Sequence, residues 1–527
     1  MLPRALLLAM LLPVAAMAGC LEPETPVRQE SLPSAALVGE LLVVVHDALG
    51  RVLDAGETIA GRDLSGLVHA VGAPGAEPTV AVTSDGTLFF QAMHLTLRSS
   101  DHGRTWTAMR SPLLATGSSD PYVWIDPVTD RVFQINQGLP FGGRGPVLPP
   151  MPPESPVTYT NIANALFCAH IAWSDDKGAT WLANPVNCGL VPGVDHIKVA
   201  SGPWTDAFRT LRGNPSYPTA VYFAYNKAFA TGVGVRNGPS PDDAIPSLGG
   251  WMTVSFDGGV AFPLARQMFG PTCAGGLHGD IAVGPAGELY VPARNCPAPL
   301  VARSFDNGLS WSTAMVGEDV GVPEQQKNPA MAVDAEGNVY LAWVAKDNRL
   351  HLSMSRDRGE TWSDTVVASP PSVGSAIWPA MVAGDAGRIA IAYVGTEDSE
   401  AGPWEVANET RWHLYVTTTT DALSENPTFA TIRATHDADP VQRGTLCVQS
   451  NKCKDGNRNL LDFIGIAKDS QGRVYVAFAD GCVTPQCLRP DATPLDSRSR
   501  EGTLFVQQSG PSLLAAVGAL SPPGARP

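Results

Sequence analysis

Long apolar runs are nearly absent from this chain. Beyond the first sixteen residues no stretch is long enough to cross a bilayer, which excludes a bundle of membrane-spanning helices. Charge is also scarce, at 17% of residues, and it is one-sided: 51 acidic against 36 basic side chains, a net of -15. No cluster of Lys and Arg interleaved with aromatics occurs, so a nucleic-acid surface is not expected, because phosphate binding needs a basic footprint. Long amphipathic helical patterns are missing as well. What the chain has in quantity is 52 Gly and 46 Pro, with 44% hydrophobic residues, a composition suited to many short strands joined by tight turns. At 527 residues it exceeds what one ordinary core supports, and a repeat architecture is the expected answer.

The ends are distinct from the body. Met1-Leu2-Pro3-Arg4 leads into an apolar stretch from Ala5 to Ala16, the length of a secretory signal core. It closes on Met17-Ala18-Gly19-Cys20, which resembles a bacterial lipobox. That resemblance implies a signal peptide over residues 1–19 and a lipid anchor on Cys20. Leu21 in place of an aspartate implies sorting to the outer membrane or cell surface. Residues 20–39, rich in Pro, Glu and Ser, read as a tether. The tail 509–527, rich in Pro, Ala and Gly, is expected to be disordered. The other eight cysteines fall as neighbours: Cys168 with Cys188, Cys273 with Cys296, Cys447 with Cys453, and Cys482 with Cys487. Four local disulfides suit an oxidising compartment, although sequence alone leaves a crossed pairing of the last four open.

An octapeptide recurs five times: at 99–106 (SSDHGRTW), 174–181 (SDDKGATW), 255–262 (SFDGGVAF), 304–311 (SFDNGLSW) and 355–362 (SRDRGETW). A sixth, degraded copy begins at Thr419, keeping Asp421 but neither the glycine nor the tryptophan. In each full copy the aspartate can accept backbone N–H bonds inside a tight turn, glycine supplies backbone angles that a side chain forbids, and the aromatic buries against a neighbouring sheet. Asp101, Asp176, Asp257, Asp306 and Asp357 are therefore structural residues in this reading. The motif is similar to the Asp-box, or BNR repeat, of the sialidase superfamily. The resemblance implies an all-β fold, a sialidase-like β-propeller, with the boxes away from the active face.

A second element supports the repeat: a strand, a turn with an acidic or polar residue beside Gly, and a second strand, as in Pro78–Phe89 and Pro329–Tyr340. Copies start near Pro78, Pro121, His196, Asp280, Pro329, Pro379 and Asp462, so seven blades are expected within residues 40–508. Six is left open, because the His196 copy is weak and the catalytic sialidases it resembles are six-bladed. The strand-like segments Leu41–Val45 and Gly502–Val506 are expected to pair and close the ring. Two longer stretches, Gln137–Val157 and Ser201–Gly249, are expected as loops over one face.

In a propeller the innermost strands converge, so residues at their entry ends gather around one mouth of the channel. Here those are Glu77, Asp120, Asp195, His196, His278, Asp280, Asn328, Trp378 and Asp462. Such a ring of acids, histidines, an amide and an aromatic suits a cation or a polyhydroxyl ligand, or a split into acid and base roles, whereas each residue taken alone is a turn cap. The superfamily resemblance implies three arginines for a substrate carboxylate, a tyrosine–glutamate nucleophile and an aspartate acid/base. Asp120, Asp280 and Arg294 are the catalytic candidates on that footing. Glu77, His278, Trp378, Arg458 and Asp462 are the substrate-binding candidates, and Arg388 and Arg98 are weaker arginines. The Arg-Ile-Pro motif of catalytic members is missing before the first box, and no Tyr/Glu pair matches. Asp455, Asn457 and Asn459 place oxygens at alternating positions, as calcium loops do. No cofactor is expected to be required, and calcium is the one candidate. Two functions follow: a surface-anchored exo-α-sialidase-like glycoside hydrolase, or a non-catalytic propeller that binds glycan or protein or serves assembly, in either case a monomer facing a glycan or glycoprotein.

Overall fold

The computed structural model describes residues 43–49, 51–56, 64–93, 95–109, 111, 113, 120–136, 169–186, 194–213, 215–228, 247–271, 277–295, 298–317, 328–447 and 457–523. The expected signal peptide, Cys20, the tether, Asp455 and the cysteines at 168, 188, 273, 296 and 453 lie outside them.

The described chain forms seven antiparallel sheets. Their innermost strands are Thr79–Val82, Tyr122–Ile125, Val194–Gly202, Ala282–Val283, Ala330–Val333, Ser375–Ala383 and Gly465–Lys468. Each packs beside the next, and the last returns to the first, so the sheets are the blades of a closed all-β propeller. We number the blades 1 to 7 in that order. The weak copy at His196 is a full blade. Apolar residues alternate along the strands and meet between blades, as where Phe89, Ile125 and Trp181 join blades 1 and 2.

The octapeptides lie between the third and fourth strands of blades 1 to 5. In all five the serine hydroxyl donates to the aspartate at 2.7–2.9 Å, and the backbone N–H four residues past the aspartate donates to the same oxygen at 2.8–2.9 Å. The Thr361 hydroxyl and N–H that grip Asp357 bring its carboxyl down to about 2. Left-handed glycines such as Gly103 (φ 83°) complete the turn. In blade 6 the degraded copy keeps the clasp from Thr419 to Asp421 at 2.8 Å.

Ring closure uses both ends of the chain, with different partners from those expected. Gly502–Val506 belongs to the third strand of blade 7, Glu501–Pro511, and its outer neighbour is Ser65–Pro74. Val43–Asp47 instead adds to the outside of blade 6, beside Thr428–Arg433. Ser65–Pro74 alternates poorly along its length, so its pattern does not announce a strand. The tail is also ordered further than expected. Leu513 and Leu520 are buried, and Ala519–Leu520 folds back on Gly510 and Pro511. A few apolar anchors were enough to overcome a Pro/Gly-rich composition.

Of the two long stretches, Gln137–Val157 lies outside the described residues, as does 229–246 of the other. Ser201–Gly249 begins by joining first and second strands on the face opposite the expected ring, where the helix Asp206–Arg212 sits against Trp204 and Phe256. Thr205 caps that helix by accepting the N–H of Phe208.

Candidate functional site

The entry to the innermost strands has an unusual backbone. Glu77, Asp120, His196, Trp378 and Leu461 all adopt left-handed φ values of 51–64°. For non-glycine residues this costs on the order of 1 kcal/mol each, and it persists where the surroundings over-determine it. The over-determination is visible. Asp120 N–H donates to Glu77 Oε2 at 2.9 Å, and His196 N–H donates to Asp120 Oδ2 at 3.0 Å, so blades 1, 2 and 3 are clasped in series. His278 N–H donates to Asn226 Oδ1 at 3.0 Å, joining blades 3 and 4. Across the channel, Asn328 Nδ2 lies 2.8 Å from His196 Nδ1.

Inside this ring is a small pit, about 30 Å³, room for one or two waters. Lys198, Asp280, Asn328, Trp378 and Phe463 line it. The Lys198 ammonium is buried, 3.9 Å from the centre of the Phe463 ring and 4.6 Å from that of Tyr122, and it pairs with Asp280 Oδ1 at 3.2 Å. The Tyr122 hydroxyl also bonds Asp280, and burial together with that carboxylate keeps the phenol well above its ordinary pKa. Asp280 is the open side chain of the cluster, 39% exposed. Phe463 and Asn328 are half-buried beside it.

Of the catalytic candidates, only Asp280 reaches the pit. Asp120 is buried and placed as an interblade clasp instead of an accessible acid/base. Arg294 lies on the same face, one residue past the bridge between His278 and Ala293, but outside the pit lining. Of the binding candidates, Trp378 and Asp462 line the pit, while Glu77 and His278 lie buried behind it. Burial pushes His278 down to about 4. Arg458 grips Asp462 with both ends of its guanidinium, at 2.5 and 2.9 Å. Burial would lower its pKa, but Asp462, Glu77 and Asp120 together raise it. Arg98 bonds the Lys177 carbonyl between blades 1 and 2, and Arg388 lies by the opposite face.

Asn457 donates to Thr445 Oγ1 at 2.6 Å, and Asn459 braces Gln442 and the Ser499 carbonyl. Both amides hold loops together. Among the described residues no group of three or more His, Cys, Asp or Glu is placed to hold a metal. Sequence reasoning missed Lys198 and Phe463. Period two gave no signal for Lys198, because the strand shifts register between Asp195 and Lys198.

No protein-family model and no curated protein matches this chain. Solved structures are similar at low identity. A protein of unknown function from Dyadobacter fermentans is 12% identical over 85% of this chain and 100% of its own, with a TM-score of 0.41. A mutant of the NanB sialidase from Streptococcus pneumoniae is 8% identical over 89% of this chain and 95% of its own, with a TM-score of 0.41. A mutant of the Aleuria aurantia lectin, in complex with alpha-methyl-L-fucoside, is 12% identical over 67% of this chain and 91% of its own, with a TM-score of 0.35.

Proposed function

We propose that the chain is a surface-anchored, sialidase-like propeller that binds neutral glycan over the channel pit, held to the membrane through Cys20. The observation that carries this reading is the mouth of the pit, where the open carboxylate of Asp280 and the amide of Asn328 flank the exposed part of Phe463. A carboxylate and an amide accept and donate to sugar hydroxyls, and an aromatic face takes the C–H side of a pyranose. A sialoside carboxylate would need unspent cations. Lys198 is paired with Asp280, Arg458 with Asp462, and no arginine is among the described lining residues.

One observation favours hydrolysis as the second reading: the Tyr122 hydroxyl bonded to Asp280 at the pit. With its pKa held high, this phenol is not primed as a phenoxide nucleophile. Titration of the purified chain with a panel of neutral and sialylated oligosaccharides, beside a fluorogenic sialoside assay, separates the two readings. Saturable neutral-glycan binding that Asp280→Ala and Phe463→Ala each weaken about ten-fold, without turnover, supports the binding propeller. Sialoside turnover lost in Asp280→Ala sinks it in favour of the hydrolase.

A further inference from the structure

A cleft of about 470 Å³ lies at the seam where the ring closes, on the face opposite the pit. Its origin can be traced to the repeat. Elsewhere the octapeptide aromatic wedges against the preceding blade: Trp106 packs with Leu504, Trp181 with Phe89, Phe262 joins the cluster of Phe133, and Trp311 packs with Val254. Blade 7 has no octapeptide. Its third strand runs on to Pro511, the chain turns back through Ala519–Leu520, and the fourth strand comes from the other end of the chain. No aromatic is therefore delivered against blade 6, and the wedge position is left open.

The floor of that position is a threonine where blades 2, 3 and 5 have an apolar residue, Trp173, Val254 and Met354, and blades 1 and 4 an arginine, Arg98 and Arg303, whose guanidinium is spent on the next octapeptide. In blade 3, Val254 stands one residue before the octapeptide serine, Ser255, which pairs with Val221. In blade 6, Thr418 stands one residue before Thr419, which pairs with Ile389 in the same register. Thr420, exposed, and Thr428 continue the polar lining, with Ser509 opposite. Arg388 reaches in from the second strand. Among the described residues its guanidinium makes one bond, Nη1 to the Ser512 carbonyl at 2.8 Å, and no ion pair. The carboxylate behind the wall, Asp421, is spent on the Thr428 N–H and hydroxyl, each at 2.9 Å, and on Thr419. Among the described residues no carboxylate lines the cleft itself.

We infer that this seam cleft is a second binding site, for a small carboxylate-bearing, hydroxyl-rich ligand of one or two sugar units. The volume lies in the range of small-molecule sites. The guanidinium, with donors in hand, suits a carboxylate fork, and the hydroxyl oxygens of Thr418, Thr419 and Thr428, whose protons are donated inside the protein, are left as acceptors for sugar hydroxyls beside the exposed Thr420. The site is independent of the pit reading, since it lies on the other face and uses none of the same residues.

The test is calorimetric titration of the full chain with glucuronate, glucose and acetate. Glucuronate binds saturably, and glucose and acetate each bind at least about ten-fold more weakly. Arg388→Gln weakens glucuronate about ten-fold or more. Because Arg388→Gln also loses the bond to Ser512, Thr420→Trp gives a second arm: it fills the cleft, leaves that bond in place and abolishes binding. The inference is overturned by any of four results: no saturable glucuronate binding, glucose or acetate matching glucuronate, native affinity in Arg388→Gln, or native affinity in Thr420→Trp.

Discussion

Asp120 accepts the backbone N–H of His196 at 3.0 Å, and through it blade 2 holds blade 3 in the strained backbone that opens the channel mouth. Asp120→Ala leaves a buried N–H without that acceptor and is expected to cost about 1–3 kcal/mol, while Asp120→Asn, which keeps an acceptor oxygen, retains most of the stability. Urea midpoints of the two variants check this. A native midpoint in Asp120→Ala would remove the clasp from the account of the fold.

The pair between Lys198 and Asp280 is asymmetric, the ammonium side being 4% exposed and the carboxylate side 39%. Removing the lysine as Lys198→Met lets Asp280 turn to water and costs little. Removing the carboxylate as Asp280→Ala strands a buried ammonium and is expected to cost about 3 kcal/mol, relieved when Lys198→Met is added. Denaturant unfolding of the two single variants and the double variant measures the coupling. Equal losses in the two single variants would contradict the burial difference.

The propeller was legible because its signals are local and repeated. Ser, Asp, Gly and an aromatic in one register make a turn without help from the rest of the chain, and the hairpins before them carry their own turn chemistry. The strand Ser65–Pro74 was illegible because its place depends on Glu501–Pro511, more than 400 residues away. The site was half legible. Convergence of the innermost strands picked out His278, Asp280 and Trp378, but whether a ring carboxylate is open, as in Asp280, or consumed, as in Asp120, depends on which blade's N–H it meets. Lys198 was missed because a lone lysine in a strand reads as solvated, and only the facing rings of Tyr122 and Phe463 make it a buried cation.

Cys482 and Cys487 form a disulfide with a Cα–Cα distance of 5.3 Å, which excludes a crossed pairing for these two. It staples the excursion between the second and third strands of blade 7, where Arg443 Nε donates to the Cys487 carbonyl at 3.1 Å. For so short a loop the chain-entropy argument gives about 2 kcal/mol. Cys482→Ala/Cys487→Ala is expected to lose that much in denaturant unfolding under non-reducing conditions. No loss in the double variant would mean that the hydrogen bonds hold the excursion by themselves.

His170, on the third strand of blade 2, is buried, and neither ring nitrogen finds a hydrogen-bond partner among the described residues. Burial pushes it down to about 4 from an ordinary 6.5, so the native state keeps it neutral where the unfolded chain protonates it. A folded value below the unfolded one means that stability is full above pH 6.5 and falls as pH drops from there towards 4. His278, at about 4, and His413, at about 3, act in the same sense. Asp480 acts in the opposite sense, since burial and then Asp439 hold its carboxyl well above 3.8 and favour the native state in acid. The histidine contribution is therefore read by difference. His170→Phe keeps the ring volume and removes the titration, so it is expected to match the native chain near pH 7 and exceed it by about 2–3 kcal/mol at pH 4.5. Urea unfolding of both proteins from pH 7 to 4.5 measures the gap. A gap that does not widen on acidification would mean that His170 gains a partner or water on protonation and does not titrate as a bare buried imidazole.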